Sequence, residues 1–227
     1  MALFLLLLLG FALSHIWLAS PPLRDMLVAR LGENGFRAGY SLLSIVLLGG
    51  TVWAYGRLEP VPPLWVAPGW AWPLASAVML IASVLFVGSL TPANRGLVGV
   101  PASSRPASGV MRITRHPMMW AFGLWAGVHM LLSGVLPTVL LAAGIGFVAL
   151  VGAAAQDRKK LAQPGSGWAD YERQTSYWPL GAQLRGRQPW GSLWPGLVPV
   201  LGGVAMWLAL TWAHPVLLGA PSVPPWF

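Results

Sequence analysis

Four histidines and no cysteine are all this chain offers a metal ion, so any metal chemistry must run through imidazole. Without cysteine there are no disulfides, thiolate ligands or thiol nucleophiles. The histidines are His15, His116, His129 and His214. His116 and His129 lie in one stretch, GVMRITRHPMMWAFGLWAGVHMLLSG from Gly109 to Gly134. On one straight helix, thirteen residues separate them by roughly 20 Å and turn them about 140° apart. One metal ion cannot take both, so each needs a partner from elsewhere in the fold. Neutral imidazole suits iron, copper or zinc. His15 and His129 have no carboxylate or cysteine near them in sequence, which fits axial ligation of haem better than a tetrahedral zinc site. The competing reading is that each histidine hydrogen-bonds across helices as structural glue. The residues leave both open.

A second group is cationic. Arg112 and Arg115 flank His116, and Asp157–Lys160 and Tyr171–Arg173 follow later. These could form a polar headgroup or cofactor site beside His116, or merely a solvated helix end with i,i+4 pairs. No Ser/His/Asp triad, phosphate loop or intramembrane carboxylate pair is present.

The elements that must position these residues are apolar helices. Of the 227 residues 56% are hydrophobic and only 9% are charged, against about 25% in a soluble chain. The expected fold is all-α: a polytopic membrane bundle of six helices, about 2–19, 38–55, 71–90, 117–132, 138–155 and 196–212, forming a single domain over 1–227. A polar loop is expected over 24–37, a Pro/Trp-rich turn over 59–70 and a long polar segment over 156–194. The first helix lacks a basic n-region and a clear cleavage site, and reads as a retained span. Thirteen of the fourteen Lys/Arg fall between helices 1 and 2, 3 and 4, or 5 and 6, with Arg57 alone on the other side. The positive-inside rule then puts those loops in the cytoplasm and both termini outside. The net charge of +8 is read as this topogenic signal, not as a nucleic-acid footprint. Many of the 14 tryptophans fall near expected membrane interfaces, where an aromatic belt accounts for them. His15 and His129 lie within spans, His116 at the mouth of helix 4 because it precedes Pro117, and His214 at the outer end of helix 6.

The sequence resembles the NnrU family of membrane proteins nearly end to end. The resemblance is carried by LSHIWLA around His15, GVMRITRHPMM from Gly109, AGVHMLLSG at His129, DRKKL from Asp157, WADYERQTSYWPLGA from Trp168 and AHPVLLGAPSVPPW from Ala213. The RITRHP block alone is shared with isoprenylcysteine and phospholipid methyltransferases. Within the family the likeness is to the carotenoid isomerases. It implies a haem b protein that turns a central 15-cis double bond to trans with no net redox change, with His15 and His129 as iron ligands and catalytic residues, and His116, Arg112 and Arg115 as further cofactor-binding candidates. The plant members carry a cysteine one turn before the helix-4 histidine, where this chain has Ala126, so thiolate ligand exchange is not expected. The expected partners are membrane lipid, a lipid-phase substrate such as a carotenoid and a second copy of the chain; nucleic acid is not expected. The expected location is a bacterial cytoplasmic membrane. Two alternatives stand beside this reading: a haem-binding accessory or sensor in nitrogen-oxide metabolism (denitrification), and a membrane methyltransferase using S-adenosylmethionine.

Overall fold

Glycine and alanine set how closely these helices approach. The computed structural model describes residues 1–91, 94–97, 106–163 and 165–218, and every regular element among them is helical. The helices are α1 Ala2–Leu18, α2 Pro21–Tyr55, α3 Ala71–Ser89, α4 Pro117–Ser133, α5 Leu136–Leu161, α6 Trp168–Gln174, α7 Gly181–Leu184 and α8 Leu197–Leu218. Their main contacts form a row: α8 on α3, α3 on α4, α4 on α5, α5 on α1 and α1 on α2. At α4–α5, Ala126 is 1% exposed and its Cβ lies 2.8 Å from where a Cβ on Gly146 would sit. At α3–α8, a Cβ on Gly203 would come within 2.7 Å of the Val84 Cα. Lipid tails are as apolar as leucine, so close backbone approach through small residues replaces the hydrophobic effect as the cohesive force. The outer faces are the reverse, with Leu6, Leu13, Ile45, Val46, Leu201 and Leu210 exposed, as suits a lipid-facing surface.

Among the described residues, four helices are long and apolar enough to cross a membrane: Pro21–Tyr55, Ala71–Ser89, Leu136–Leu161 and Leu197–Val216. The other two expected spans, α1 and α4, have 17 residues each. At ~1.5 Å per residue that is about 25 Å, short of a ~30 Å hydrocarbon core.

Three boundaries differ from the sequence reading. The expected polar loop over 24–37 is helical. α2 begins at Pro21 and breaks its helical geometry at Gly32 alone (φ 70°, ψ 164°), a conformation that costs glycine little. Arg24 reaches across the kink to both oxygens of Glu33 at 2.7 Å, and Arg37 Nε donates to Glu33 at 3.0 Å, so local ion pairs satisfy a segment whose polarity read as coil. α5 runs to Leu161, past the expected end at 155, with Arg158, Lys159 and Lys160 in its last turn, where cations complement the helix dipole. α8 continues past 212 with Pro215 inside it; apolar helices tolerate such a proline when neighbours re-satisfy the backbone. The proline-rich tail from 219 onward lies outside the described residues.

The end of the bundle where α4 meets α5 is closed by the 59–70 linker. Trp65 Nε1 donates to the Leu131 carbonyl at 2.9 Å and the Leu64 N–H to the Gly134 carbonyl at 2.8 Å. Gly134 is left-handed (φ 62°), and a Cβ there would sit 2.0 Å from the Trp65 carbonyl oxygen. Gly134→Ala is therefore expected to destabilise the protein by on the order of 3 kcal/mol, summing αL strain and a backbone clash. Thermal unfolding in detergent checks this; an unchanged midpoint refutes it.

Candidate functional site

Two places collect the chemistry, at different depths. The first is the buried mouth of α4. His116 caps the helix ahead of Pro117 and is 3% exposed. Its Nε2–H donates to Asp157 Oδ1 at 2.7 Å. Arg115 grips the same carboxylate through Nε at 2.9 Å and Nη2 at 2.5 Å, and Trp168 Nε1 adds a donor at 3.2 Å. Arg115 also pairs with Glu172 at 2.8 Å. One carboxylate thus receives three side chains, two of them cationic or ionisable, in charge-assisted geometry.

The elements explain the convergence. α5 delivers Asp157 one turn from its end, the His-Pro junction turns His116 inward, and α6 brings Trp168 and Glu172 back onto both. The return segment is stitched on by its backbone: the Thr114 hydroxyl and Trp120 Nε1 both donate to the Tyr177 carbonyl at 2.7 Å. The Tyr177 hydroxyl donates to the Leu150 carbonyl at 2.7 Å, and burial, then the nearby Asp157 carboxylate, pushes its pKa up. Burial likewise pushes Tyr171 up; its hydroxyl has no hydrogen-bond partner among the described residues.

Of the cationic candidates read from sequence, Arg115 and His116 belong to this network. Arg112 does not join it, because its Nε donates to the Ala107 carbonyl at 2.9 Å. Asp157 and Glu172, for which the sequence leaves open a polar site beside His116 or a solvated helix end, are its anionic centre; Trp168 does not stand out in the sequence, where tryptophans are so frequent.

The second place is the α4–α8 side of the bundle. His129 is half-buried, and its Nδ1–H donates to the Trp125 carbonyl at 2.8 Å. That bond fixes the tautomer and leaves the Nε2 lone pair for another partner. The Trp125 ring lies against it, with centroids 4.4 Å apart. Its histidine neighbour is His214, with ring centroids 6.2 Å apart. His214, expected at an exposed helix terminus, is half-buried because α8 continues beyond it.

His15 sits elsewhere. Its Nδ1–H donates to the Phe11 carbonyl at 3.0 Å, and its ring meets Phe11 at 4.2 Å and Tyr40 at 5.2 Å between centroids. Depth can be read along α5. Leu8 faces Gly144, whereas Ala126 faces Gly146 and Gly123 faces Leu150. Following α1 seven residues on, and α4 three, puts His15 and His129 about eight residues apart along α5, or ~12 Å. The structure brings His129 to His214 and keeps His15 against Tyr40. Among the described residues no group of three or more His, Asp or Glu could hold a bare metal ion.

A family profile described as NnrU protein matches residues 3–222. Among curated proteins the chain is similar to the chloroplastic 15-cis-zeta-carotene isomerase of Arabidopsis thaliana, 31% identical over 95% of this chain and 60% of that protein. It is also similar to the chloroplastic enzyme of the same name from Zea mays, 28% identical over 98% of this chain and 62% of that protein. The chain thus spans about 60% of the length of these relatives. No solved structure matches it.

Proposed function

The chain belongs to the NnrU family, and from that premise we propose that it is an integral membrane isomerase turning a cis double bond of a carotenoid to trans, on a 15-cis substrate of the kind its relatives' names describe. The observation that carries this reading is likeness to two enzymes of that name over nearly the whole chain. Isomerisation adds and removes no atoms and no electrons, so the protein must hold the polyene and lower its rotation barrier without a co-reactant. An apolar, lipid-exposed bundle suits a substrate that partitions from the bilayer.

The proposed cofactor is haem b, and the donor set at His129 fits it. His129 and His214 bring two imidazole rings to 6.2 Å between centroids, and neutral imidazole suits iron. Bound iron would supply a Lewis-acidic centre able to perturb the polyene π system. His129 would hold it through Nε2, oriented by its Nδ1 bond to the Trp125 carbonyl, and His214 would supply a second imidazole. Trp125 offers a flat apolar wall beside them. His15, ~12 Å away in depth, would serve a neighbouring wall with Tyr40. This chain has Ala126 where a thiol would be needed, so redox gating through sulfur is no part of this proposal.

We further propose six crossings, α1 and α4 included, with the end bearing Arg115, Asp157 and Lys159 in the cytoplasm of a bacterial cell. The methyltransferase alternative would need carboxylates open to a cationic cofactor, and Asp157 and Glu172 already face Arg115 and His116.

Co-expression with a desaturase that accumulates 15-cis carotenoid, followed by chromatography of the pigments, tests the reading. Conversion to the 15-trans isomer is expected. A haem-loaded protein without conversion would leave the nitrogen-oxide accessory role standing instead.

A further inference from the structure

Beside the Arg115–Asp157–Glu172 network lies an open cleft of about 220 Å³, whose lining includes Tyr177, Trp178, Arg185 and Arg187. Its walls are built, not incidental. The Arg115 N–H donates to the Ser176 carbonyl at 2.9 Å, and the Leu180 N–H to the Ile113 carbonyl at 2.9 Å. Leu180 is the one non-glycine among the described residues with positive φ, 62°. A leucine adopts that conformation only where its surroundings impose it, and here it turns the chain so that α7 delivers Arg185 and Arg187 to the cleft.

The charges at the cleft do not balance. Arg115 is committed to Asp157 and Glu172. Arg187 donates to the Glu172 backbone carbonyl at 2.9 Å, and neither it nor Arg185 meets a carboxylate among the described ion pairs. Burial, and then Arg185 and Arg115 close by, holds Arg187 below its ordinary pKa. The one carboxylate lining the cleft, Glu172, is paired with Arg115, so three arginines outnumber it there, and the planar donor forks of Arg185 and Arg187 match a phosphate. The rim carries Trp178, 61% exposed, and Leu184, next to Arg185 in the chain, is 73% exposed. Trp190 and Trp194 on the same return segment are also exposed, as at a membrane–water interface. A soluble phosphate has no use for that rim, whereas a phospholipid places its chains there while its headgroup meets the arginines.

We propose that this cleft binds the phosphate of an anionic membrane phospholipid, held by Arg185 and Arg187 with Trp178 and Leu184 against its apolar part. The site is separate from His129 and does not depend on haem or on isomerase activity. The test uses the purified full chain in neutral detergent, titrated with dioleoyl-phosphatidylglycerol or dioleoyl-phosphatidylcholine, with bound lipid counted by native mass spectrometry. Phosphatidylglycerol is expected to bind about tenfold tighter or more. The Arg185→Ala/Arg187→Ala variant should erase that preference, while Arg57→Ala, at the opposite end of α2, keeps it. Equal affinity for the two lipids, or a preference that survives in the double variant, overturns the proposal. Trp178→Ser should weaken phosphatidylglycerol binding; full retention overturns the lipid assignment. Displacement of bound lipid by millimolar inorganic phosphate would do so too, giving the arginines to a soluble phosphate.

Discussion

His129→Ala is expected to strip the protein of haem and to lower isomerisation by ~100-fold or more, since losing even an outer partner of a metal ligand costs 10–100-fold. The reason is geometric. His129 alone combines a tautomer locked by the Trp125 carbonyl, a second imidazole at 6.2 Å and a position inside the apolar bundle. Pyridine-haemochrome content and the visible spectrum read out the first effect, and pigment chromatography the second. His214→Ala should keep haem but shift it from low to high spin, because the second imidazole that would hold the iron is gone. His15→Ala should change neither haem content nor spin state, because its ring faces Phe11 and Tyr40. The reverse result, with His15→Ala losing haem and His214→Ala leaving the spectrum unchanged, would return the second ligand to α1 and refute the α4–α8 site.

Asp157→Ala is expected to cost about 3 kcal/mol of stability. Asp157 and Arg115 side chains are 10% and 11% exposed and His116 1%, so removing the carboxylate strands a guanidinium and an imidazole with little water to replace it. Trp168 Nε1 loses its acceptor as well. Because α4, α5 and α6 meet at this one group, its loss should also loosen the 176–180 segment that hangs from Ile113–Arg115. Denaturant unfolding in detergent measures the effect. A double-mutant cycle with Arg115→Ala isolates the pair, and the double variant should be less destabilised than the two single losses summed. A loss below about 0.5 kcal/mol, typical of a surface ion pair, would show the network to be solvated and not structural.

Both expectations depend on features that the chain reveals to different degrees. Helices announce themselves through long apolar runs, because every backbone polar group in lipid must be satisfied within its own segment. α3, α4 and α5 accordingly begin within two residues of where the sequence puts them. Polar helices do not announce themselves: the 24–37 stretch reads as coil until Glu33 is seen to tie Arg24 and Arg37 across the Gly32 kink. The end of α8 was equally hidden, since a proline at 215 favours a helix end just before it, which is where the sequence places His214.

What the amino-acid order determined by itself is chemistry by elimination. With no cysteine, and with its few acidic residues outside the apolar runs, the bundle interior could offer only imidazole, and His15 and His129 were the two histidines within apolar segments. The sequence pairs His129 with His15, the other histidine inside a span, and bars His116 on the same helix. That the His214 ring comes to 6.2 Å from His129 was decided by tertiary structure, because it depends on which helices are neighbours and at what depth: Gly144 and Gly146 of α5 fix the heights of α1 and α4, and Gly202 and Gly203 let α8 close on α3, which itself packs on α4. Asp157 illustrates the same division. Its charge was plain in the sequence; that it would be buried under Arg115, His116 and Trp168 required three separate segments to fold onto one carboxylate.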